Sequence, residues 1–399
     1  MPGLEYLTLL TAGLVGIGTL ETLVHRRNLS KIPIRLHVSG TRGKSSVTRL
    51  LVSGLQEAGK KTVGKTTGTL ARMIMPDGRE LPVFRPAGAN IIEQKRIVAA
   101  AAEVGAEVLV AECMALQPLL HWIAERKFIR ATHGVITNAR ADHLDVMGPT
   151  EVDVAKTLAG MIPVKGICFT AERDHLAVLE EAAKDRKTKM IAVTEEDVAA
   201  ITEQDLSGFA YTEHAENVAL VLKILTHLGI DRETAIRGMW KTAPDAGALL
   251  EYPIEFFGRK ISFVNGFAAN DPESTEKVWN IALNRAPKDV DTIIAVFNMR
   301  ADRPSRTAQL AKETDFWHTA TRSVLIGTGA YLFARMASDT GYDIGRFVFA
   351  DYTRVDEIFE SILEVCGKHT LIIGMGNIGG PGLPLIRYFK NRSLGGGRP

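Results

Sequence analysis

An apolar stretch opens the chain, and short β-branched runs alternating with amphipathic segments fill most of the remainder. Tyr6–Leu20 is fifteen residues without a charge, held between Glu5 and Glu21. That suits a helix, yet it falls short of the roughly twenty apolar residues that span a bilayer. From residue 34 onward the pattern predicts strands at 34–39, 107–111, 132–137, 166–170, 189–193, 260–265, 291–297, 322–327, 346–350 and 369–374, separated by helical segments. Strands alternating with helices give a mostly parallel sheet, so the chain reads as α/β. Segment 241–255 (KTAPDAGALLEYPIE) breaks the alternation with turn residues after a helix ending near Trp240. The expected organisation is an amino-terminal hydrophobic helix (1–30), a central domain (31–245) and a smaller α/β domain (246–399). No internal repeat is visible.

The flanks of the apolar stretch bear on where it sits. His25, Arg26, Arg27, Lys31 and Arg35 come after it, a positive flank that keeps the remaining chain cytoplasmic if the helix inserts. A secretory signal has its basic residues before the apolar run, not after it. Membrane association through the amino terminus, with a cytoplasmic catalytic body, is therefore expected; a core helix is the alternative. Elsewhere charge is balanced, 48 Lys and Arg against 46 Asp and Glu, which gives no reason to expect nucleic-acid binding. Cys113, Cys168 and Cys366 stand far apart without a C-x-x-C pair, which argues for a reduced compartment and against structural zinc or a disulfide framework. Cys113 follows a Glu at a strand end, but a small buried residue explains it better than a nucleophile does.

Chemistry enters with HVSGTRGKSS at 37–46, between an apolar strand and an amphipathic helix running from Ser46 to Ala58. Amides of a glycine-rich turn, the positive end of a helix and Lys44 together form a phosphate cradle, and Ser45 is placed to ligate Mg²⁺. The general pattern G-x-x-x-x-G-K-[ST] would want glycine where Val38 stands. Glu112 ends the apolar run EVLVA, and a carboxylate at the carboxyl end of a parallel strand faces the crevice where ligands bind. Its hard oxygens suit Mg²⁺. TNARADHLDVMG at 137–148 comes after another strand and gathers Asn138, Asp142, His143 and Asp145. A lone Asp-His pair is usually a solvated turn, but three polar clusters at successive strand ends are harder to dismiss.

In this order the motifs resemble the Mur ligase superfamily, which includes folylpolyglutamate synthetase: G-T-R-G-K-S-S at 40–46, Glu112, T-N-x-x-x-D-H-L-D at 137–145 and H-A-E-N at 214–217. The likeness spans 34–380. It implies a P-loop-type central domain with a mostly parallel sheet and a smaller Rossmann-like carboxyl-terminal domain. By position, Gly40, Thr41, Arg42, Gly43, Lys44 and Ser46 would hold the phosphates of ATP. Ser45 and Glu112 would hold one Mg²⁺ and His143 a second, with Asn138 and Asn217 near the nucleotide. Lys156 stands where the superfamily often has a carbamylated lysine. The pattern departs in the carboxyl-terminal half: A-H-N-P is A-N-D-P here (269–272), and P-G-R is replaced by PDAGAL (244–249). Arg300, Asp302 and Arg303 are candidates for the missing phosphate and carboxylate contacts, with an exposed charged loop as the alternative. GMGNIGG at 374–380 is a weak dinucleotide signal and is read as a loop.

Within the superfamily the apolar amino terminus, the absence of a domain before the loop, the arginine in G-T-R-G-K-S, and NMRADR at 298–303 resemble the branch that makes capsular poly-γ-glutamate. That implies an ADP-forming ligase acting on glutamate and a polyglutamate acceptor, with Lys44, Glu112, His143 and Lys156 at the reaction centre. It also implies membrane-protein partners of a synthesis and export complex, and self-association is compatible with it. A folylpolyglutamate synthetase-like ligase and a P-loop ATPase of a membrane assembly are the alternatives. The ATPase would need a further apolar strand ending in Asp, which is not found. A noncatalytic scaffold would not need intact Lys44, Ser45, Glu112 and His143.

Overall fold

The computed structural model describes residues 2–68, 70–85, 88–244, 249–269, 272–350 and 354–393. The chain forms two compact units, one from residues 1–209 and 213–243 and the other from 210–212 and 244–399.

The first unit is built on β1 Ile34–Ser39, β2 Thr62–Thr66, β3 Arg72–Ile74, β4 Glu80–Pro82, β5 Val108–Glu112, β6 His133–Ile136, β7 Ile167–Thr170 and β8 Lys189–Ala192. These form one sheet in the order β4-β3-β2-β5-β1-β6-β7-β8, parallel from β2 to β8 and antiparallel at β3 and β4. Hydrophobic patterning located β1 and β5–β8 but missed β2. All five β2 positions are buried, yet one of them is Lys65, whose ammonium is neutralised by Glu93 at 2.7 Å. Glu93 in turn accepts two hydrogen bonds from Arg85 at 2.7 Å each. A buried ion pair of this kind looks polar to any pattern search, although burial lowers the Lys65 pKa.

Helices α1 Pro2–Ser30, α2 Lys44–Glu57, α3 Glu93–Glu103, α4 Pro118–Ile123, α5 Leu144–Met147, α6 Glu151–Ala159, α7 Leu176–Asp185, α8 Glu195–Ala199, α9 Glu203–Ser207, α10 Ala215–His227 and α11 Arg232–Trp240 surround the sheet. A π-turn, Ala124–Ile129, continues α4. Leu50, Leu51 and Leu55 bury the inner face of α2, each worth about 2 kcal/mol relative to exposure. Gly238 lets α11 approach α2 closely at Gly54, and Gly54 itself makes room for Leu225 of α10. The core-helix alternative for the amino terminus does not hold within this unit. In α1 the apolar window is unburied, with Leu7, Leu14 and Ile17 each at least 60% exposed. Only from Glu21 does α1 join the body: Glu21 pairs with Lys95 at 2.9 Å, His25 bonds the Phe128 carbonyl at 2.8 Å, and Leu29 is buried.

The second unit holds β9 Glu251–Phe256, β10 Arg259–Asn265, β11 Thr292–Asn298, β12 Arg322–Ile326, β13 Phe347–Phe349 and β14 His369–Gly376, in the order β13-β12-β11-β14-β10-β9. All pairs are parallel except β9 with β10. Helices α12 Pro272–Arg285, α13 Pro304–Lys312 and α14 Ala330–Ser338 pack through Trp279, Leu310 and Phe333 into one core. Helices α15 Val355–Glu364 and α16 Gly382–Lys390 pack through Phe359 and Phe389 into the other. This is the doubly wound arrangement expected of the carboxyl-terminal half. The sequence pattern places most of β9 in the turn segment 241–255, which contains Pro253. The strand tolerates proline because it is the sheet edge, paired only with β10. The expected domain boundary at 245–246 lies outside the described residues, as do Asn270 and Asp271 of A-N-D-P.

Candidate functional site

The carboxyl end of β1 leads into the glycine-rich turn. Val38, where a longer loop would need glycine, is still strand: it is fully buried and pairs with Glu112 on one side and Val135 on the other. The turn starts at Gly40, whose φ of +131° and tight approach to Thr137 Oγ1 leave no space for a Cβ. Gly43 has φ +78°, and a Cβ there would lie 2.7 Å from Asn217 Oδ1. Gly43 also caps α2 without a side-chain hydrogen bond, so the first-turn amides of α2 are free of side-chain acceptors and can take an anion.

The end of β6 holds the loop in shape. Thr41 and Arg42 direct a hydroxyl and an amide at Asn138 Oδ1, at 2.7 and 3.0 Å, while Asn138 Nδ2 returns a bond to the Arg42 carbonyl at 3.3 Å. Thr137 Oγ1 donates to the same carbonyl at 2.5 Å. Asn138 therefore clamps the loop, and Asn217, held by Glu213 Oε1 at 2.8 Å, abuts it at Gly43. Lys44 Nζ donates to the loop carbonyls of Gly40 at 2.6 Å and Thr41 at 2.9 Å. Burial lowers the Lys44 pKa, opposed by the charges of Glu112 and Asp142.

Beside Lys44, the Ser45 hydroxyl lies 3.1 and 2.9 Å from the two oxygens of Glu112. Glu112 is 1% exposed and also accepts the Thr67 amide at 2.7 Å. A hydroxyl and a carboxylate converging at the start of α2 make a donor set suited to Mg²⁺, which takes few protein ligands and completes its shell with other oxygens and water. Among the described residues no three His, Cys, Asp or Glu side chains form a closed metal cage. Asp142 lies 3.9 Å from Arg42 of the loop and 3.8 Å from His143 Nε2. His143 sits in the left-handed region at φ +48°, costly for a residue with a side chain.

The remaining sequence candidates lie elsewhere. Lys156 is on α6, which starts with a Thr150–Asp153 capping box. Its side chain is 65% exposed, with Asp153 at 3.9 Å. Arg300 and Asp302 follow β11 in the second unit and pair with each other at 2.9 and 2.6 Å. There too, GMGNIGG is not a loop throughout: Gly374–Gly376 end β14, and only 377–380 form the loop, tied by Asn298 to the Gly379 carbonyl at 2.7 Å. Cys113 is buried and belongs to a cluster that the sequence did not reveal: its Sγ is 3.7 Å from His121 Nδ1, and His37 Nδ1 is 2.9 Å from Glu125. Burial opposes the charge on His37, but nearby Cys113 and the hydrogen-bonded Glu125 outweigh it and raise the pKa to about 9. Thr67, Thr137 and Glu213 were also missed. Thr67 comes after a strand hidden by Lys65; Thr137 had only its position before Asn138 as a signal.

Residues 38–230 match the Mur ligase middle domain, and residues 251–392 match the poly-gamma-glutamate synthase CapB C-terminal domain. The chain is 39% identical to PGA synthase CapB of Bacillus subtilis over 378 residues, covering 93% of each chain. It is 38% identical to capsule biosynthesis protein CapB of Bacillus anthracis, covering 96% of this chain and 82% of that one. Similar solved folds include E. coli FolC in complex with DHPP and ADP, with TM-score 0.67, 17% identity and 93% of each chain covered. Another is the bifunctional folylpolyglutamate synthase/dihydrofolate synthase of Yersinia pestis complexed with AMPPNP and Mn ion, with TM-score 0.67, 14% identity and 92% of each chain covered.

Proposed function

The chain belongs to the CapB family of poly-γ-glutamate synthases, and from that premise we propose how its residues carry out an ATP-dependent ligation of glutamate into poly-γ-glutamate. A carboxylate resists attack by an amine. In this proposal the γ-phosphoryl group of ATP passes to a glutamate γ-carboxylate, giving an acyl phosphate and ADP. The amine of a second glutamate then attacks the acyl carbon, the carbon–oxygen bond to phosphate breaks, and the amine loses a proton. One feature carries the reading: Ser45 and Glu112 converge, at 2.9 and 3.1 Å, at the start of a helix whose first amides have no side-chain cap.

Each residue has a role in that reading. Lys44 and the amides from Gly43 to Ser46 bind the phosphates, while Asn138 and Asn217 keep the loop in binding shape. Ser45 and Glu112 would hold one Mg²⁺ and His143 a second, and the metal would neutralise charge on the transferring phosphoryl group. Lys156, as a carbamate, would orient the second metal, and Arg300 with Asp302 would meet substrate carboxylates. Gly3–Ser30, whose most apolar 18-residue window has a mean hydropathy of 1.7, would anchor the protein in the membrane beside membrane-protein partners of an export complex.

The deciding experiment incubates membranes containing the protein and its neighbours with ATP, Mg²⁺ and labelled glutamate. The expected products are glutamate polymer, ADP and phosphate. AMP and pyrophosphate would overturn the acyl phosphate. Steady ATP hydrolysis indifferent to glutamate would favour an assembly ATPase, and a folate-primed product would favour a folylpolyglutamate synthetase.

A further inference from the structure

At the end of the first unit's sheet opposite the phosphate loop, Arg26, Arg35, Arg126, Arg130 and Lys165 line a cavity of about 440 Å³. Arg35 is the second residue of β1, Thr132 immediately precedes β6, and Gly166 immediately precedes β7, so the cavity opens at the amino ends of these strands. It is therefore a site separate from the nucleotide cradle.

Its charge is compensated only in part, by Glu125 acting on Arg35 without direct contact. None of the five cations has a carboxylate within ion-pair distance among the described residues. The one acidic residue in the wall, Glu125, is already committed, with one oxygen 2.9 Å from His37 Nδ1 and the other accepting the Ala131 amide at 2.8 Å. Arg35 points its guanidinium at the carbonyls of Ile129 and Arg130, at 3.2 and 3.0 Å from Nε. Two of the lining residues also hold an unfavourable backbone: Arg130 has φ +49° and Lys165 φ +55°. Glycine would suit both positions better, yet cations occupy them. Arg126 projects from a π-turn, an irregularity that often marks functional sites.

The cavity adjoins the foot of α1, whose Arg26, Leu29 and Ser30 form part of its wall. The charge-free run of α1, Tyr6–Leu20, is about 23 Å long at 1.5 Å per residue, enough to enter the ~30 Å hydrocarbon core of a bilayer from one face. Cations just beyond such a helix stand in the headgroup layer. We propose that this cavity seats the phosphate of an anionic phospholipid headgroup at the cytoplasmic face of the membrane. The inference rests on the membrane reading of α1. The acidic polymer is a weaker candidate, because its reacting end is needed at the opposite end of the sheet.

The test titrates the detergent-solubilised full chain with dihexanoyl phosphatidylglycerol, dihexanoyl phosphatidylcholine, inorganic phosphate and poly-γ-glutamate. The phosphatidylglycerol should bind and the phosphatidylcholine should not. In an Arg126→Gln, Arg130→Gly, Lys165→Gly variant the affinity should fall on the order of 100-fold, since each juxtamembrane charge contributes roughly fivefold. The melting temperature should hold or rise, because two strained residues are relieved, and glutamate-dependent ADP release should be unchanged. Equal binding by the variant, equal affinity for inorganic phosphate, or binding of poly-γ-glutamate alone would each overturn the proposal. Carbonate-washed membranes test α1 separately. A full chain that washes off yet binds the phosphatidylglycerol sinks the helix reading and keeps the cavity; one that stays but fails to bind does the reverse.

Discussion

Replacing Glu112 by Gln removes a charge and almost no volume. Glu112 is 1% exposed and accepts from Ser45 at 3.1 and 2.9 Å and from the Thr67 amide at 2.7 Å. A glutamine keeps a carbonyl for Thr67 and turns its amide toward Ser45, whose hydroxyl can accept as well as donate. Hydrogen bonds of about 1.5–3 kcal/mol to a charged group become neutral ones of about 1 kcal/mol, and relief of a buried charge offsets part of the loss. The net change in stability should stay within about 2 kcal/mol, a shift of a few degrees in melting temperature. Catalysis should suffer more. An anionic oxygen leaves the metal site and Lys44 loses a counter-charge; a preorganised group of this kind is worth about 3 kcal/mol, or more than 100-fold in kcat/KM. Glutamate-dependent ADP release, measured alongside a thermal melt, reads both quantities. A folded variant within tenfold of wild-type kcat/KM would refute the assignment of Glu112.

Four further outcomes are expected. Gly43→Ala places a methyl 2.7 Å from Asn217 Oδ1 at φ +78°, so the KM for ATP should rise at least tenfold in a protein that still folds; an unchanged nucleotide titration would contradict the cradle. Deleting residues 2–20, which stops short of Glu21 and its partner Lys95, should leave the body folded and move the protein to the soluble fraction, whereas a truncated chain that still pellets with membranes would exclude the anchor. Lys156→Ala should lower activity, with partial rescue by short carboxylic acids, and an active enzyme unlabelled at Lys156 by ¹³CO₂ would leave only the ammonium beside Asp153. Burial, helped by His227, lowers the His133 pKa to about 4, below an unfolded value near 6.5; its contribution is full above pH 6.5 and is lost as the pH falls toward 4, so melting temperatures should drop over that window in wild type and less in His133→Gln.

Legibility in the sequence depends on what a pattern can carry. Apolar runs marked the strands whose burial is unmixed with charge, such as β7 and β11, and motif spacing marked the loop, Glu112 and Asn138. Patterning failed at β2, where Lys65 is buried against Glu93. It failed at β3 and β4, where strands of three residues include a charged one, Arg72 and Glu80, whereas the equally short β13 is all apolar. In the site, side chains that hold other side chains were invisible: Glu213 acts through Asn217, and Thr137 through the Arg42 carbonyl. The basic cavity was equally hidden, because its cations come from three separated stretches of the sequence, 26–35, 126–130 and 165, and are gathered only by the sheet.

Arg35 also donates to the carbonyl of Ile32, at 2.5 Å, and to that of Leu29, at 3.3 Å, so one side chain fastens the end of α1, the end of the π-turn and the first residues of β1. Three residues, Lys31–Pro33, separate α1 from β1, and Ile32 among them is fully buried. A helix joined this way is a mast and not a leash. With α1 set in a bilayer, β1 inherits its orientation, and the six residues of β1 carry the chain about 20 Å from the joint to the phosphate loop. ATP would then be consumed at a set height above the headgroups, so the growing polymer is presented to a membrane exit at one distance and angle.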